Sequence, residues 1–188
     1  QLRLMLTALG TSALLAVIPI LTVCALNAHY YKWFGTVEYR ASEFHSAYGA
    51  LLRVRVGPEI HRVPVTREAR EAIYAVSPAF AELRPFLEGE LGATWSRISQ
   101  GFTNIPAEER QIAGGWFMWC LRDAVTAAGH THNAGESMAF FQRIADEVNQ
   151  ACDEGRLPSG PRRSGFLPPW RTGQTQALAS TFVEFANF

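Results

Sequence analysis

The residues with the most chemistry to offer are Arg162, Arg163, Trp170 and Arg171, inside the stretch RLPSGPRRSGFLPPWRTG from Arg156 to Gly173. Guanidinium groups grip phosphate or carboxylate through paired hydrogen bonds. An aromatic ring beside them suits a lipid headgroup, a sugar phosphate or an acidic protein surface. The competing reading is a solvated linker stiffened by its four prolines.

His130 and His132 flank Thr131 in an H-x-H arrangement. Such a pair can supply two ligands to zinc, but a tetrahedral site needs two more, and Asp123 and Glu136 are the nearest oxygen donors in sequence. Exposed loop histidines explain the pair without a metal. The carboxylates Glu108 and Glu109 fall where a helix would begin and complement its dipole, and Asp146 and Glu147 fall on the polar side of a later helix. Neither pair accompanies a nucleophile motif, and the sequence contains no phosphate loop, dinucleotide fingerprint or HExxH. No catalytic residue, metal or cofactor is therefore assigned. Cys24, Cys120 and Cys152 have no CxxC spacing; Cys24 reads as an inert lipid-facing or packed thiol, and Cys120 and Cys152 as free buried thiols, the alternative being a pair in an oxidising compartment.

What must position these residues begins with a membrane segment. Leu4 to Ala28 reads LMLTALGTSALLAVIPILTVCALNA, without a charge. At 1.5 Å per residue it reaches roughly 35 Å, enough to cross a hydrocarbon core of about 30 Å. His29, Tyr30, Tyr31, Lys32, Trp33 and Phe34 follow as an interfacial belt. The run is too long for a cleaved signal peptide, and Leu26 spoils a cleavage site ending at Ala28. The expected organisation is residues 1–31 as anchor and belt, 32–155 as a helical soluble domain, 156–174 as a Pro/Arg-rich linker, and 175–188 as the start of a further apolar helix. The fold class is mainly α, with one short β-hairpin near 52–65.

Within the domain, Tyr30, Phe34, Val37, Ala41, Phe44, Tyr48 and Leu51 recur at helical spacing and predict a helix continuing the anchor into water. LRVRV (Leu52 to Val56), a Gly57-Pro58 turn and IHRVPV (Ile60 to Val65) predict the hairpin. Thr66 caps a helix to about Val76, and Ser77-Pro78 opens another to about Glu88, shortened by Pro85. Residues 89–105 hold few signals. Pro106 opens a helix over roughly 107–128, and Asn133 with Glu136 caps one to about Glu154. These last two helices predict an antiparallel pair.

Seventeen basic and seventeen acidic side chains cancel, which argues against nucleic acid as a partner. Lys32 is the only lysine among the basic residues, and the abundance of arginine, alanine and glycine fits a GC-rich bacterial genome. The chain starts at Gln1 and ends within an apolar run, as a piece of a longer protein would. The expected partners are the lipid bilayer and either other parts of that longer chain or a membrane partner protein. The expected place is a bacterial inner membrane, with the soluble part outside the cytoplasm. The function these features favour is a non-catalytic domain making protein or lipid contacts. The alternative is part of a membrane enzyme acting on a lipid-linked or cell-envelope substrate, with the arginine loop holding a phosphate.

Overall fold

The computed structural model describes residues 2–163, 165–166 and 173–186. Trp170 and Arg171 lie outside the described residues. Helix α1 (Leu2–Tyr31) is long and apolar enough to cross a membrane. Among residues 4–26 only Cys24 is buried, so the helix leaves almost all its apolar surface uncovered. Its threonine hydroxyls are paired within the helix: Thr7, Thr11 and Thr22 each donate to a carbonyl one turn back, Thr22 to Ile18 at 2.8 Å.

The chain then turns back on itself instead of continuing as a helix. Lys32 adopts a left-handed conformation (φ 58°), which ends the helix. The Asn27 side-chain amide donates to the Gly35 carbonyl at 2.6 Å, drawing the following loop along the last turns of α1. A 3-10 turn over Glu38–Arg40 leads into α2 (Ser42–Leu51). The stripe from Tyr30 to Leu51 is therefore split, and only its later part, Ala41, Phe44, Tyr48 and Leu51, is core.

The hairpin expected over 52–65 does not form, and among the described residues no strand is present. Leu52, Arg53 and Val54 are all buried, so this segment lacks the alternating faces that a half-exposed strand requires. Val54 makes one isolated antiparallel bridge, to Ser159 rather than to the 60–65 arm. Pro58 and Pro64 offer no amide donors for a second arm, and Val63 closes a local turn onto the Ile60 carbonyl at 3.0 Å.

The next helices are short. Thr66 accepts from the Ala69 amide at 3.2 Å and starts α3 (Arg67–Tyr74). Ser77 caps α4 (Pro78–Ala81), and a separate turn, α5 (Arg84–Leu87), follows with Pro85 in its first turn. Helix α6 (Glu90–Thr103) occupies the stretch with few sequence signals. Residues 107–128 do not form one helix. A 3-10 turn (Ala107–Glu109) ends at left-handed Arg110, and α7 begins only at Trp116. Between them Gln111, Ile112 and Ala113 run buried against α6, where Ser96 Oγ donates to the Gln111 carbonyl at 2.9 Å and Ser99 Oγ accepts from the Ala113 amide at 3.1 Å. Gly114 and Gly115 thus precede α7 (Trp116–Ala127) and avoid the roughly 1 kcal/mol each would cost in its interior.

Helix α8 (Ala134–Asp153) is capped by Asn133, which accepts from the Glu136 amide at 3.0 Å. Its principal neighbour is α2, while α7 packs against α6 and α5, so the expected pairing of α7 with α8 is not the main contact. The centre is built from Phe44, Phe80, Phe117 and Phe141, all fully buried. Side chains of that size contribute about 1.5–3 kcal/mol each on burial. Cys24, Cys120 and Cys152 are free and buried. Helix α9 (Gln174–Ala186) carries Leu178, Phe182 and Phe185 along one face and Gln176, Ser180 and Glu184 along another; none of its residues is buried.

Candidate anion-binding cleft

The end of α8 and the loop after it converge on the segment following α2, and arginines make the join. Arg53 is buried at 7 % exposure, and each of its three guanidinium nitrogens donates a hydrogen bond. It donates to the Gly160 carbonyl at 2.9 Å, to Asn149 Oδ1 at 3.0 Å and to Asp153 Oδ1 at 2.6 Å. The second oxygen of Asp153 accepts from Arg162 through Nε at 3.1 Å and through Nη2. The hydrogen bonds from Arg162 and then Arg53 hold the Asp153 carboxyl below the usual aspartate range. Backbone bonds complete the clasp, from Arg55 N to the Pro158 carbonyl and from Gly160 N to the Arg53 carbonyl, both 2.8 Å. The loop read as a solvated linker is thus fastened to the domain up to Arg162.

Arg163 differs. Its Nη2 donates to the Phe166 carbonyl at 2.9 Å, but its Nε is buried without a partner. Burial, and then the neighbouring charge of Arg55, push its guanidinium below the ordinary arginine value. Its own carbonyl lies so close to α2 that a β-carbon on Gly49 would collide with it, which explains the glycine there. Arg163 lines two adjoining clefts. One, about 340 Å³, is shared with Ser46, Asn149 and Arg162. The other, about 460 Å³, is walled by Tyr48, Leu52, Ile60 and Phe166, with Glu59, His61 and Arg62 at its polar side. Burial pushes the Tyr48 hydroxyl well above its ordinary range, so it stays protonated and available as a donor.

Of Arg53, Arg55, Arg162 and Arg163, two, Arg53 and Arg162, are paired with Asp153. Neither Arg55 nor Arg163 is in an ion pair among the described residues. Adjacent arginines lacking a counter-charge form a local positive field that attracts an anion, and a planar guanidinium suits phosphate or carboxylate.

Of the residues singled out in the sequence, Arg162 and Arg163 meet in this site. Ser46 and Asn149 line it with them, while Arg53 and Arg55 adjoin it; the arginines of LRVRV were legible only as the polar face of a strand that does not form. His130 and His132 separate. His130 Nε2 faces Glu82 at 2.7 Å and its ring stacks on Phe140, while His132 Nδ1 faces Glu136 at 2.9 Å. Among the described residues no group of three or more His, Cys, Asp or Glu is placed to hold a metal ion. Glu108 and Glu109 are exposed in the 3-10 turn, and Asp146 accepts from Gln142. Glu147 is not a surface carboxylate: it accepts from Ser77 Oγ at 2.6 Å and from the Ala79 amide at 2.9 Å, fastening the start of α4 to α8. No family model, curated protein or solved structure matches this chain.

Proposed function

We propose that this chain is a non-catalytic contact domain, tethered to a bacterial cell membrane by α1, which offers its arginine cleft to an anionic group on a protein or lipid partner. The observation that carries the reading is the charge balance of the cleft. Asp153 is consumed by Arg53 and Arg162, which leaves Arg55 and Arg163 adjacent and without a carboxylate. The uncovered apolar surface of α1 supports the tether, since burying about two dozen such residues in lipid is far more favourable than leaving them in water. The apolar face of α9 supports a second contact with the bilayer or with further chain. We place the helical domain on the outer side, since an amino-terminal anchor ahead of a substantial domain commonly exports it.

A second reading draws on the same cleft. Asn149 and Ser46 beside Arg162 and Arg163 could hold the phosphate of a lipid-linked or cell-envelope substrate for a reaction whose catalytic groups lie elsewhere.

Both readings require the cleft to bind an anion. The test is calorimetric titration of the full chain in detergent with inorganic phosphate, comparing Arg163→Gln and Arg55→Gln with Arg97→Gln on the exposed side of α6. Either cleft variant should weaken binding about tenfold, the expected loss for one charge-assisted contact. Added salt should weaken wild-type binding, and Arg97→Gln should leave it unchanged. Equal affinity in all three variants would remove the cleft from the function.

A further inference from the structure

A second cavity lies where α1 meets the domain. The loop after Lys32 doubles back along α1, and between loop and helix lies a groove of about 890 Å³. Its apolar wall is Ile20 and Cys24 of α1 with Phe34 and Val37 of the loop; Arg40 and Glu43 line the same groove. Cys24 is the one residue of the apolar run that the domain covers, at 6 % exposure.

The depth of this groove follows from helix geometry. A hydrocarbon core of about 30 Å takes up roughly 20 residues, fewer than the 30 of α1. With the uncharged run starting at Leu4 filling the core, Cys24 to Tyr31 stand in the headgroup layer, over a rise of roughly 10 Å. The groove then straddles the boundary between acyl chains and headgroups, with one wall for each.

The two charges are arranged for a ligand that carries both signs. Arg40 is exposed, and among the described residues its side chain has no hydrogen bond or ion pair. Glu43 is half-buried, accepts only from Ser42 Oγ at 2.9 Å, and is not ion-paired with Arg40 although it is three residues away. A guanidinium matches a phosphodiester. A carboxylate with free lone pairs matches an ammonium that still carries N–H donors. A quaternary ammonium has none to give the Glu43 carboxylate, so that contact favours the primary amine even though the Trp33 ring also lines the groove.

We infer that this groove binds one glycerophospholipid with a primary-amine headgroup, its phosphate on Arg40, its ammonium on Glu43 and an acyl chain along Ile20, Cys24, Phe34 and Val37. The inference rests on the membrane-tether reading but is independent of the arginine cleft.

The experiment is native mass spectrometry of the full chain in detergent, offered equimolar phosphatidylethanolamine and phosphatidylcholine with identical acyl chains. The wild type should retain one phosphatidylethanolamine with a preference on the order of tenfold. Arg40→Gln should lower retention of both lipids, and Glu43→Gln should keep binding but abolish the preference, with helical circular dichroism unchanged in each. Equal retention of the two lipids by the wild type, no retained lipid, or indifference to either substitution would overturn the site. Alkaline extraction of membranes containing the chain tests the tether separately. Release into the aqueous fraction removes both tether and lipid site; a chain that stays in the membrane but does not discriminate between headgroups removes the lipid site alone.

Discussion

Glu88 receives Arg70 through both of its oxygens, Nε to Oε1 at 2.7 Å and Nη2 to Oε2 at 3.2 Å, and Arg70 is completely buried. The remaining donors of Arg70 reach the Val65 and Arg110 carbonyls, and the Tyr74 hydroxyl adds a bond to Glu88 at 3.0 Å. Burial works against the guanidinium charge, and the hydrogen bonds and charge of Glu88 more than offset it. The network ties α3, α5 and the segment before α7 into one unit. Glu88→Ala leaves the Arg70 charge buried and uncompensated and should cost about 3–5 kcal/mol; Arg70→Ala leaves Glu88 with the Tyr74 hydroxyl and with Arg67 at 3.6 Å and should cost less. Replacing both by apolar residues of similar volume should cost less than either single change. Urea unfolding of the full chain in detergent, followed by tryptophan fluorescence, checks the order.

The clasp at Asp153 should be visible in pH dependence. Arg162 and Arg53 lower its folded-state pKa, so the folded protein releases this proton more readily than the unfolded chain. Its contribution is fully present above the ordinary aspartate range and is lost as pH falls through that range to the lower folded value. Asp153→Asn should remove this part of the acid dependence. It should also speed hydrogen exchange at the Arg55 and Gly160 amides, whose partners are the backbone carbonyls of Pro158 and Arg53. Unchanged exchange at both amides would show that the backbone alone holds the loop.

The parts that were legible in the sequence are those whose cause is local. Asn133 and Gly155 bracket α8 because a cap and a left-handed stop act within a few residues, and Thr66 and Ser77 mark their helices in the same way. Helix α6 was not legible because its buried positions include Gly92, Ser96 and Ser99, which carry no apolar period. Ser96 and Ser99 are buried because they serve the backbone of Gln111 and Ala113, and Gly92 because it lies against the Leu87 carbonyl. The break at Lys32 was missed for a related reason: an apolar stripe cannot register that one residue turns left-handed and reverses the chain. Arg162 and Arg163 were recognisable by type, but what makes them a site is Arg53 and Arg55, roughly a hundred residues earlier, together with the carboxylate each pair does or does not receive.

Gly135 separates two effects of opposite sign. Inside an exposed helix turn, glycine to alanine stabilises by about 1 kcal/mol. Here an added β-carbon would lie 2.9 Å from the Lys32 carbonyl and 3.1 Å from Asn133 Oδ1, the cap of α8. One of them must move, so Gly135→Ala should destabilise by about 1–3 kcal/mol. The loop from Lys32 to Arg40 should become more open, and limited trypsin digestion should cut there sooner than in the wild type. A stabilised, protease-resistant variant would mean that α8 does not hold this loop.

Cys120 gives a local probe of the whole core. It is completely buried on α7, and burial, only partly opposed by Arg70, pushes its thiol up to about 12. At pH 8 the thiolate fraction is then on the order of one in ten thousand, and reagents such as N-ethylmaleimide react with the thiolate. Site-resolved mass spectrometry should find Cys120 unmodified in the folded chain and fully modified in denaturant. Because α7 contributes Phe117, Leu121 and Ala124 to the same core, the thiol should become reactive only when the domain unfolds as a unit. The logarithm of its labelling rate should therefore rise in Arg70→Ala and Glu88→Ala in step with their loss of stability, about tenfold for each 1.4 kcal/mol. Labelling that ignores both substitutions would show that α7 opens independently of the network beside it.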